Sequence, residues 1–462
     1  MSRSTTDAEP LYGANHSDAE LRALVDGRSA EVAVYGLGKM GLPLATVYAG
    51  RVGDVIGVDI DPSVVESVNR GDCHIDGEPG LPELVAEAAE NGALRASTDA
   101  RTAAEAANVH VIIVPTPITE TREPDLSIFD TVVESIAHGL SPGDMVFVEC
   151  TVPPRTCRDR LVPQLVEQSD LSAGEFGAAF CPERTSSGRA VEDITGAYPK
   201  IVGGVDDESA RVAEAVYENI TDNEVIRVSD ATTAESVKLF EGLYRDVNIA
   251  LANELGTLAD DLGIDVREAI DAANTQPFCH IHSPGPGVGG HCIPWYPYFV
   301  MSRVDTPTPL LQTAREVNDS MPAFTAEIVE RELEAQGTSI EGAQVLVLGV
   351  TYRPGIAETR ATPAGPLITD LIRRGAEPFA TDPLLDDETI SSFGAEPLAL
   401  SEVGRADPDA VVVVTPHEAF DSVEWEGFED VIVVDGRDTL DDVGHPTYTI
   451  GSGRTSDQSE NR

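Results

Sequence analysis

Residues 287–292, with the sequence GVGGHC, hold the side chain best suited to covalent chemistry in this chain. A cysteine thiolate attacks an aldehyde to give a thiohemiacetal; loss of hydride gives a thioester, and water then releases an acid. Glycines beside the thiol let the backbone crowd a ligand. Because a glycine-dense loop is poor core material, the pattern favours Cys292 as a nucleophile over a buried structural cysteine.

The same stretch contains residue types that bind metals. Cys279, His280, His282, His291 and Cys292 offer thiolate and imidazole ligands. Their spacing matches no usual zinc pattern, so we expect no metal, and a metal-binding protein stays as an alternative that bound zinc would reveal. The chain has six cysteines and no CxxC pair, which predicts reduced thiols.

A second motif, GLGKMG, directly follows an apolar run and opens a helical stretch. Gly36 permits a tight turn, Gly38 lets the backbone approach a pyrophosphate, and Gly41 lets helix and strand pack closely. Asp59 ends the next predicted strand, where a carboxylate accepts hydrogen bonds from ribose hydroxyls and repels a 2′-phosphate. The motif therefore predicts NAD rather than NADP. The cofactor-binding residues predicted in this turn are Gly36, Gly38, Lys39, Met40 and Gly41.

The elements around these motifs alternate between short apolar runs and helical stretches, which predicts parallel sheets with helices on both faces. One block starts at residue 31 and a second at 345. Between them, residues 230–262 read as one long helix, capped by Ser229 or Asp230 and ended by Gly263. The Pro/Gly-rich residues 275–298 are too long for an idle linker. The predicted strands are 32–35, 55–58, 109–114, 145–148, 178–180, 345–350, 410–414 and 431–434.

We therefore predict an α/β protein with two Rossmann-like, doubly wound parallel-sheet domains joined by a helical central region. The length of 462 residues agrees with about three domains. We place a flexible tail over 1–30 that leads into a short helix, and a polar end after about 452. The predicted domains are an NAD-binding domain over 31–206, a central helical domain over 207–325 and a C-terminal domain over 340–452.

Charge limits the partners. The chain has 80 acidic and 31 basic residues, a net charge of −49, which disfavours nucleic acid and anionic membranes as partners. Because the acid is spread along the whole chain, we expect a protein adapted to high salt. The sequence contains no apolar run of membrane-spanning length and no secretory signal at its start, so we expect a cytoplasmic protein.

The motifs together resemble the UDP-glucose/GDP-mannose dehydrogenase family over roughly residues 31–440. Some of them point to the N-acetylhexosamine branch of that family, with UDP-N-acetylmannosamine as the expected substrate. The motifs that carry the resemblance are VYGLGKMGLP, VPTP, CPER, KLFEGLYRDVNIALANE, PGPGVGGHC, TAREVND and YRPGIAETRATPA.

The resemblance implies a four-electron oxidation of a UDP-sugar at C6, with NAD as oxidant and a C-terminal domain that binds UDP. It implies that Cys292 is the nucleophile, that Lys238 stabilises alkoxide-like charge or shuttles a proton, and that Glu183 assists thioester hydrolysis. Thr116 and Thr151 would contact NAD or the active-site water. A homodimer or higher oligomer is expected, with Arg360 reaching the cofactor site of a neighbouring subunit. The implied substrate-binding residues are Arg184, Thr185, Lys238, Arg245, Gly287, Gly289 and Arg353.

Three positions depart from the family pattern. Gly242 stands where an asparagine is usual, Tyr296 where an aspartate is usual, and Phe278 where this branch has an arginine. Asparagine and aspartate help to hold an oxyanion and to position water, so their loss would lower the rate. Two alternatives stay open: a dehydrogenase for UDP-glucose or UDP-N-acetylglucosamine, and a nucleotide-sugar-binding paralogue without turnover.

Overall fold

The computed structural model describes residues 10–27 and 30–454. It separates into two compact units, each built on one sheet. The first contains residues up to 241 together with 298–305, and the second contains 242–297 with the residues from 306 onward. The predicted α/β class with two Rossmann-like parallel sheets and a long helix is confirmed. The division into three domains stays a prediction.

The first sheet has eight strands in the order β3-β2-β1-β4-β5-β6-β7-β8, and all neighbours are parallel except β6 and β7. The order 3-2-1-4-5-6 is that of a dinucleotide-binding sheet. Every residue of β4 and β5 is buried, which explains why both strands are apolar except for the buried His110 of β4. The strands are β1 Ala30–Tyr35, β2 Gly53–Val58, β3 Leu94–Ser97, β4 Val109–Ile112, β5 Met145–Val148, β6 Gly177–Phe180, β7 Lys200–Gly204 and β8 Val225–Arg227.

Helices cover this sheet and also precede it. They are α1 Asp18–Asp26, α2 Gly41–Arg51, α3 Pro62–Arg70, α4 Leu81–Glu90, α5 Ala100–Ala106, α6 Ser127–Gly139, α7 Val162–Gln168, α8 Ala190–Glu192 and α9 Asp207–Ile220. The structure differs from a flexible tail over 10–27, because Ser17 caps α1 and both Leu21 and Val25 are buried. Residues 1–9 lie outside the described part. Helix α9 and strand β8 also continue the first fold beyond residue 206, where we expected that domain to end.

The predicted long helix is interrupted once. Helix α10 (Ala231–Thr257) is followed by α11 (Ala259–Leu262), and Gly263 ends α11 in the left-handed conformation. The break falls at Leu258, whose N–H bonds to the carbonyl of Leu255, three residues back. Three further helices follow, which the sequence pattern did not separate: α12 Val266–Asn274, α13 Tyr296–Met301 and α14 Pro309–Ala335.

The second sheet repeats the strand order of the first, β11-β10-β9-β12-β13-β14-β15, and only β15 is antiparallel to its neighbour. The three predicted apolar runs form its centre. Its outer strands escaped prediction because they are short or carry charge and proline. The elements are β9 Gln344–Leu348, α15 Ala364–Arg373, β10 Glu377–Thr381, α16 Asp387–Ser391, β11 Glu396–Pro397, β12 Ala410–Val413, β13 Ile432–Asp435, β14 Thr447–Thr449 and β15 Gly453–Arg454.

Candidate active site

The glycine turn after β1 is shaped by sterics. Gly36 has φ +101°, and a Cβ there would lie 2.4 Å from the carbonyl oxygen of Ile113. A Cβ on Gly41 would lie 1.9 Å from the carbonyl oxygen of Gly36. Gly38 differs, since a Cβ there would meet nothing within 4 Å. The chain itself therefore requires two of the three glycines, and the third leaves open space next to the exposed Lys39. A pyrophosphate fits such a cradle at the start of α2.

Asp59, just after β2, contacts this turn. Its Oδ2 accepts a hydrogen bond from Leu37 N at 2.9 Å, and its Oδ1 accepts one from Asp61 N at 3.0 Å. The carboxylate is half-buried. Asp59 therefore lies against the turn, next to the place where an adenosine ribose would bind.

Further polar residues follow neighbouring strands at the same edge of the first sheet. Thr116, after β4, donates from Oγ1 to the carbonyl oxygen of Thr151, after β5, at 2.6 Å. The carboxyl ends of parallel strands are where open α/β sheets bind their ligands. The structure thus brings the two predicted threonines into direct contact at that edge.

Glu183 follows β6 and is buried, only 7% exposed. Its carboxylate accepts a hydrogen bond from Thr185 N, and Thr185 Oγ1 donates to the sulfur of Met40 at 2.8 Å. The segment after β6 is therefore tied to the glycine turn. A cavity of about 20 Å³ lies beside Glu183, with Thr185 and Lys200 also lining it. That volume holds one water molecule.

Arg184 is already engaged by the protein. Its Nη1 lies 2.5 Å from Glu241 Oε1, its Nη2 donates to the carbonyl oxygen of Pro199, and its guanidinium stacks 5.0 Å from the Tyr198 ring centre. It pairs with Glu241 and not with its neighbour Glu183. Any contact with a substrate would use the part of the fork that these partners leave open.

Lys238 lies on α10 and is 8% exposed, so it is not a solvated surface lysine. Burial raises the pKa of the Cys150 thiol to about 12, and the positive charge of Lys238 opposes that rise. The ammonium group is therefore near Cys150, which directly precedes Thr151. In the first unit the lysine accordingly belongs to the polar edge of the sheet.

In the second unit, Cys292 is the exposed thiol. Three of the other cysteines are buried and two are half-buried. The carbonyl oxygen of Cys292 accepts hydrogen bonds from Trp295 N at 3.1 Å and Tyr296 N at 3.0 Å. The cysteine thus begins a tight turn that leads into α13, and its side chain stays accessible to a reactant.

The glycines before Cys292 are explained differently from our expectation. A Cβ on Gly289 would lie 2.7 Å from the Cβ of Tyr352, and one on Gly290 would lie 2.9 Å from the ring of that tyrosine. A Cβ on Gly287 would approach Pro363 to 3.1 Å. The crowding that we attributed to a ligand comes from the chain's own residues 352–363. Roles for Gly287 and Gly289 in substrate binding stay predictions.

Residues 352–363 carry two of the predicted arginines. Arg353 is exposed. Arg360 was expected to reach a neighbouring subunit, but here its Nη1 lies 2.9 Å from Nδ1 of His291 in the same chain. The Nε2 atom of His291 lies 2.9 Å from Glu358 Oε2. The sequence pattern gave no role to Glu358 and considered His291 only as a possible metal ligand, although an imidazole beside the predicted nucleophile was a visible signal.

Two of the three positions that depart from the family pattern, Gly242 and Tyr296, contact each other, and the third, Phe278, lies at the surface. Gly242, on α10, lies against the edge of the Tyr296 ring, and a Cβ at Gly242 would lie 2.1 Å from Cδ2 of that ring. Phe278 is 89% exposed.

Arg245, also exposed on α10, faces His282: burial lowers the pKa of His282, and the charge of Arg245 lowers it further.

A buried polar network joins α10 to α14, and the sequence pattern did not predict it. Arg315 Nη1 lies 2.5 Å from Asp246 Oδ1, and Asn318 Nδ2 donates to the same oxygen at 2.9 Å. Asn253 donates to Asn318 at 2.9 Å and accepts from Gly285 N at 2.9 Å. The motifs RDVNIALAN and TAREVND are therefore paired faces of two helices that also anchor the glycine-rich segment.

Over 10–27 and 30–454, no group of three or more His, Cys, Asp or Glu side chains could hold a metal ion. Within the same ranges, no helix is long and apolar enough to span a membrane.

A sheet of Rossmann order, an open glycine turn and an acid against that turn define the class of NAD-binding proteins. The chain belongs to the UDP-glucose/GDP-mannose dehydrogenase family. The family's NAD-binding domain matches residues 30–221, its central domain 232–320 and its UDP-binding domain 346–442. The resemblance seen in the motifs is confirmed, and so is NAD as the cofactor.

Individual relatives agree. A UDP-N-acetyl-D-mannosamine dehydrogenase from Pyrococcus horikoshii is 36% identical over 430 residues, covering 91% of this chain and 99% of the relative. A solved structure of UDP-D-ManNAc dehydrogenase from that organism superposes with a TM-score of 0.83 at 34% identity, covering 91% and 99%. An NDP-N-acetyl-D-galactosaminuronic acid dehydrogenase from Ralstonia nicotianae is 33% identical over 414 residues, covering 88% and 95%. The protein is thus an NAD-dependent nucleotide-sugar dehydrogenase.

Proposed function

We propose that this enzyme oxidises the C6 alcohol of UDP-N-acetyl-D-mannosamine to the carboxylate, in two steps and through a covalent intermediate on Cys292. The observation that carries the proposal is the exposure of this one thiol at the end of the glycine-rich segment. The overall reaction takes the alcohol, two NAD⁺ and one water to the carboxylate, two NADH and three protons. The product would serve surface polysaccharide or protein glycan synthesis.

NAD, when bound, accepts a hydride from the sugar carbon in each oxidation. Gly36, Gly38 and Gly41 would cradle its pyrophosphate, with Lys39 and Met40 beside them, and Asp59 would bind its ribose. Gly38 supports this fit because its outer face is open. Thr116 and Thr151 lie at the carboxyl edge of the same sheet, where they would orient the cofactor or a water molecule.

Cys292 supplies the covalent step. Its sulfur adds to the C6 aldehyde and forms a C–S bond, so that the thiohemiacetal carbon can lose a second hydride and become a thioester. Lys238 would stabilise the oxygen's negative charge or move its proton, as its burial near the sheet edge supports. Glu183 would activate water for hydrolysis, which breaks the C–S bond and returns the thiol. The water-sized cavity beside Glu183 supports that role.

Arginines and nearby polar groups would bind the nucleotide sugar. Arg245 and Arg353 are exposed and suit phosphate oxygens, whereas Arg184 retains only part of its fork. Thr185, Gly287 and Gly289 stay in the proposed set. Arg360 stays proposed for cofactor binding. Its contact with His291 gives it a second proposed role, which is to orient that imidazole.

The choice of sugar rests on the relatives. The relatives described above are named for N-acetylated hexosamine derivatives, which favours an N-acetylhexosamine over glucose. The 36% identical relative favours UDP-N-acetylmannosamine over UDP-N-acetylglucosamine. The test measures NADH formation with a panel of UDP-sugars in molar KCl. Two NADH per sugar are expected for the preferred substrate. One NADH per sugar would end the four-electron proposal, and a preference for UDP-glucose would reassign the substrate.

A nucleotide-sugar-binding paralogue without turnover is the second candidate. It is favoured by the ring of Tyr296, which fills the space over Gly242. Wild type, Cys292→Ser and the matched control Cys279→Ser separate the two functions. Catalysis predicts activity in wild type and control, and none in Cys292→Ser. If all three are equally silent toward every UDP-sugar, the paralogue is correct.

We also propose a homodimer formed through α10 and α11. Tyr244, Leu251, Leu258 and Leu262 are 38–58% exposed and recur at spacings of four and seven residues, so they form one apolar stripe. Leu251→Glu should convert a dimer to a monomer in light scattering. A monomeric wild type would contradict this proposal.

The net charge of −49 supports adaptation to high salt. Mutual repulsion of surface carboxylates destabilises the compact state when few counterions are present. The midpoint of thermal unfolding should therefore rise between low-salt buffer and molar KCl. A midpoint that is the same in both would contradict salt adaptation.

A further inference from the structure

The ring of Tyr296 occupies the space beside Gly242 in which any other residue would place its Cβ. Gly242 lies inside helix α10, where glycine is less favourable than alanine. A Cβ at this position would lie 2.1 Å from Cδ2 of Tyr296, and 3.0 Å from both Cγ and Cε2. Real contacts of a Cβ are never that short, so any side chain at 242 must displace the ring. The ring itself is 8% exposed.

The backbone of Tyr296 is hydrogen-bonded to that of Cys292 across one tight turn. Tyr296 is the first residue of α13, and its N–H donates to the carbonyl oxygen of Cys292 at 3.0 Å. Trp295 N donates to the same oxygen at 3.1 Å, and the Trp295 indole donates to Gly290 O at 3.1 Å. These bonds close the turn tightly. A movement of the ring away from helix α10 would therefore carry the peptide of Cys292 with it.

Gly242 lies on α10 between two residues to which we assign functional roles. Lys238 comes four residues before Gly242 and Arg245 three residues after it. Residues with this spacing share one face of a helix. The ring is therefore fixed to the helix between two residues to which we assign roles in catalysis and substrate binding.

We propose that Tyr296 is a positioning residue. Its ring packs against the backbone of Gly242, which has no side chain, and this contact holds Cys292 in place. The inference rests on the proposed function of Cys292. The positioning depends on the ring of Tyr296 and on its fit against Gly242. The effects of substitutions at these two positions should therefore not be additive.

The test compares Gly242→Ala, Tyr296→Ala, the double variant and Tyr296→Phe. Two readouts are measured in molar KCl: kcat and KM with the UDP-sugar, and the rate at which iodoacetamide labels the Cys292 peptide. Gly50→Ala is the control, because Gly50 is also helical but a Cβ there meets nothing within 4 Å. Thermal unfolding of each variant is recorded, so that loss of folding is recognised.

Gly242→Ala should lower kcat about 10- to 100-fold, since small misplacements of a reacting group cost that much. The KM for NAD should stay the same, and the labelling rate of Cys292 should change. Tyr296→Ala should have a similar effect, and adding Gly242→Ala to it should cost little more. Tyr296→Phe should retain most of the kcat that Tyr296→Ala loses, and Gly50→Ala should behave like the wild type.

Three outcomes would overturn the proposal. The first is a Gly242→Ala enzyme with unchanged kcat and labelling. The second is a double variant in which the two losses simply multiply. The third is a Tyr296→Phe enzyme as impaired as Tyr296→Ala, which would assign the role to the hydroxyl. The labelling rate reports on Cys292 whether or not the cysteine is catalytic. Failure of the nucleophile assignment would appear separately, as full activity in Cys292→Ser.

Discussion

Arg360 donates from Nη1 to Nδ1 of His291 across 2.9 Å. An arginine has only donors, so Nδ1 must be the acceptor and the proton of the neutral ring lies on Nε2, facing Glu358. Burial acts to raise the pKa of Glu358, but the hydrogen bonds from His291 and from Arg360 N, together with the positive charge of Arg360, outweigh it and leave that pKa below its usual value. The imidazole next to Cys292 is therefore held at both nitrogens by one loop.

Removing this bridge should affect the chemical step. Arg360→Ala should lower kcat about tenfold with the KM for NAD little changed, because the residue orients the neighbour of Cys292. Arg360→Lys should recover part of the loss, since lysine keeps the donor but not the planar fork. Steady-state kinetics measures both. Arg373→Ala, a charge change on the exposed side of α15, is the control. A rise in the KM for NAD alone would instead support direct cofactor contact.

The glycine turn allows a paired prediction. Gly38→Ala adds a methyl group to open space, so stability should be unchanged while the KM for NAD rises about tenfold, equivalent to 1.4 kcal/mol of binding. Gly41→Ala puts that methyl group 1.9 Å from Gly36 O and should cost about 1–3 kcal/mol of stability. Denaturant unfolding and NAD titration distinguish the two. An unchanged KM for NAD in Gly38→Ala would place the pyrophosphate elsewhere.

Asp59 should set the preference for NAD. Asp59→Asn keeps an oxygen for Leu37 N but removes the charge that repels a 2′-phosphate. The ratio of kcat/KM for NAD to that for NADP should fall about tenfold or more. Stability should fall by about 1 kcal/mol, because the amide NH2 cannot accept the hydrogen bond of Asp61 N. Asp59→Ala should lose the same preference and loosen the turn as well. An unchanged ratio in Asp59→Asn would show that another group excludes NADP.

Glu235 should make stability depend on pH. Burial raises its pKa to about 7, although N–H groups of residues 155–157 act to lower it. The folded state keeps a proton that the unfolded state has lost above about pH 4.5. Stability should therefore fall as the pH rises toward 7 and level off above it, by a few kcal/mol at most. Urea unfolding of wild type and Glu235→Gln between pH 5.5 and 8 checks this, because the variant should lack that slope. Equal slopes would contradict the raised pKa.

The fold was predictable because its signals are local. Fully buried parallel strands favour apolar runs, and the run at 145–148 and that at 109–112, interrupted only by His110, show this pattern. Asp59 could be named because strand length and turn geometry fix its distance from the glycines. The edge strand β11 and its neighbour β10 could not be named, because β11 has only two residues and both strands contain glutamate and proline.

The candidate site was predictable only in its residue types. The motifs named Cys292, Lys238 and Glu183, but no spacing along the chain shows that Lys238 is buried or that Glu183 lies beside a water-sized cavity. The glycines at 287–290 were ascribed to a ligand, whereas they are needed by Tyr352 and Pro363, more than 60 residues away. The contact of Arg360 with His291 depends on how two distant loops meet, and the reach of Arg360 to a neighbouring subunit stays a prediction.

The sequence by itself determined the two alternating α/β blocks, the dinucleotide turn and the exposed-cysteine motif, because each is encoded by neighbours within about 20 residues. Only the tertiary structure decided which side chains share a contact. The ring of Tyr296 over Gly242 joins residues 54 positions apart, and the fit depends on distances of a few ångströms that no linear pattern records.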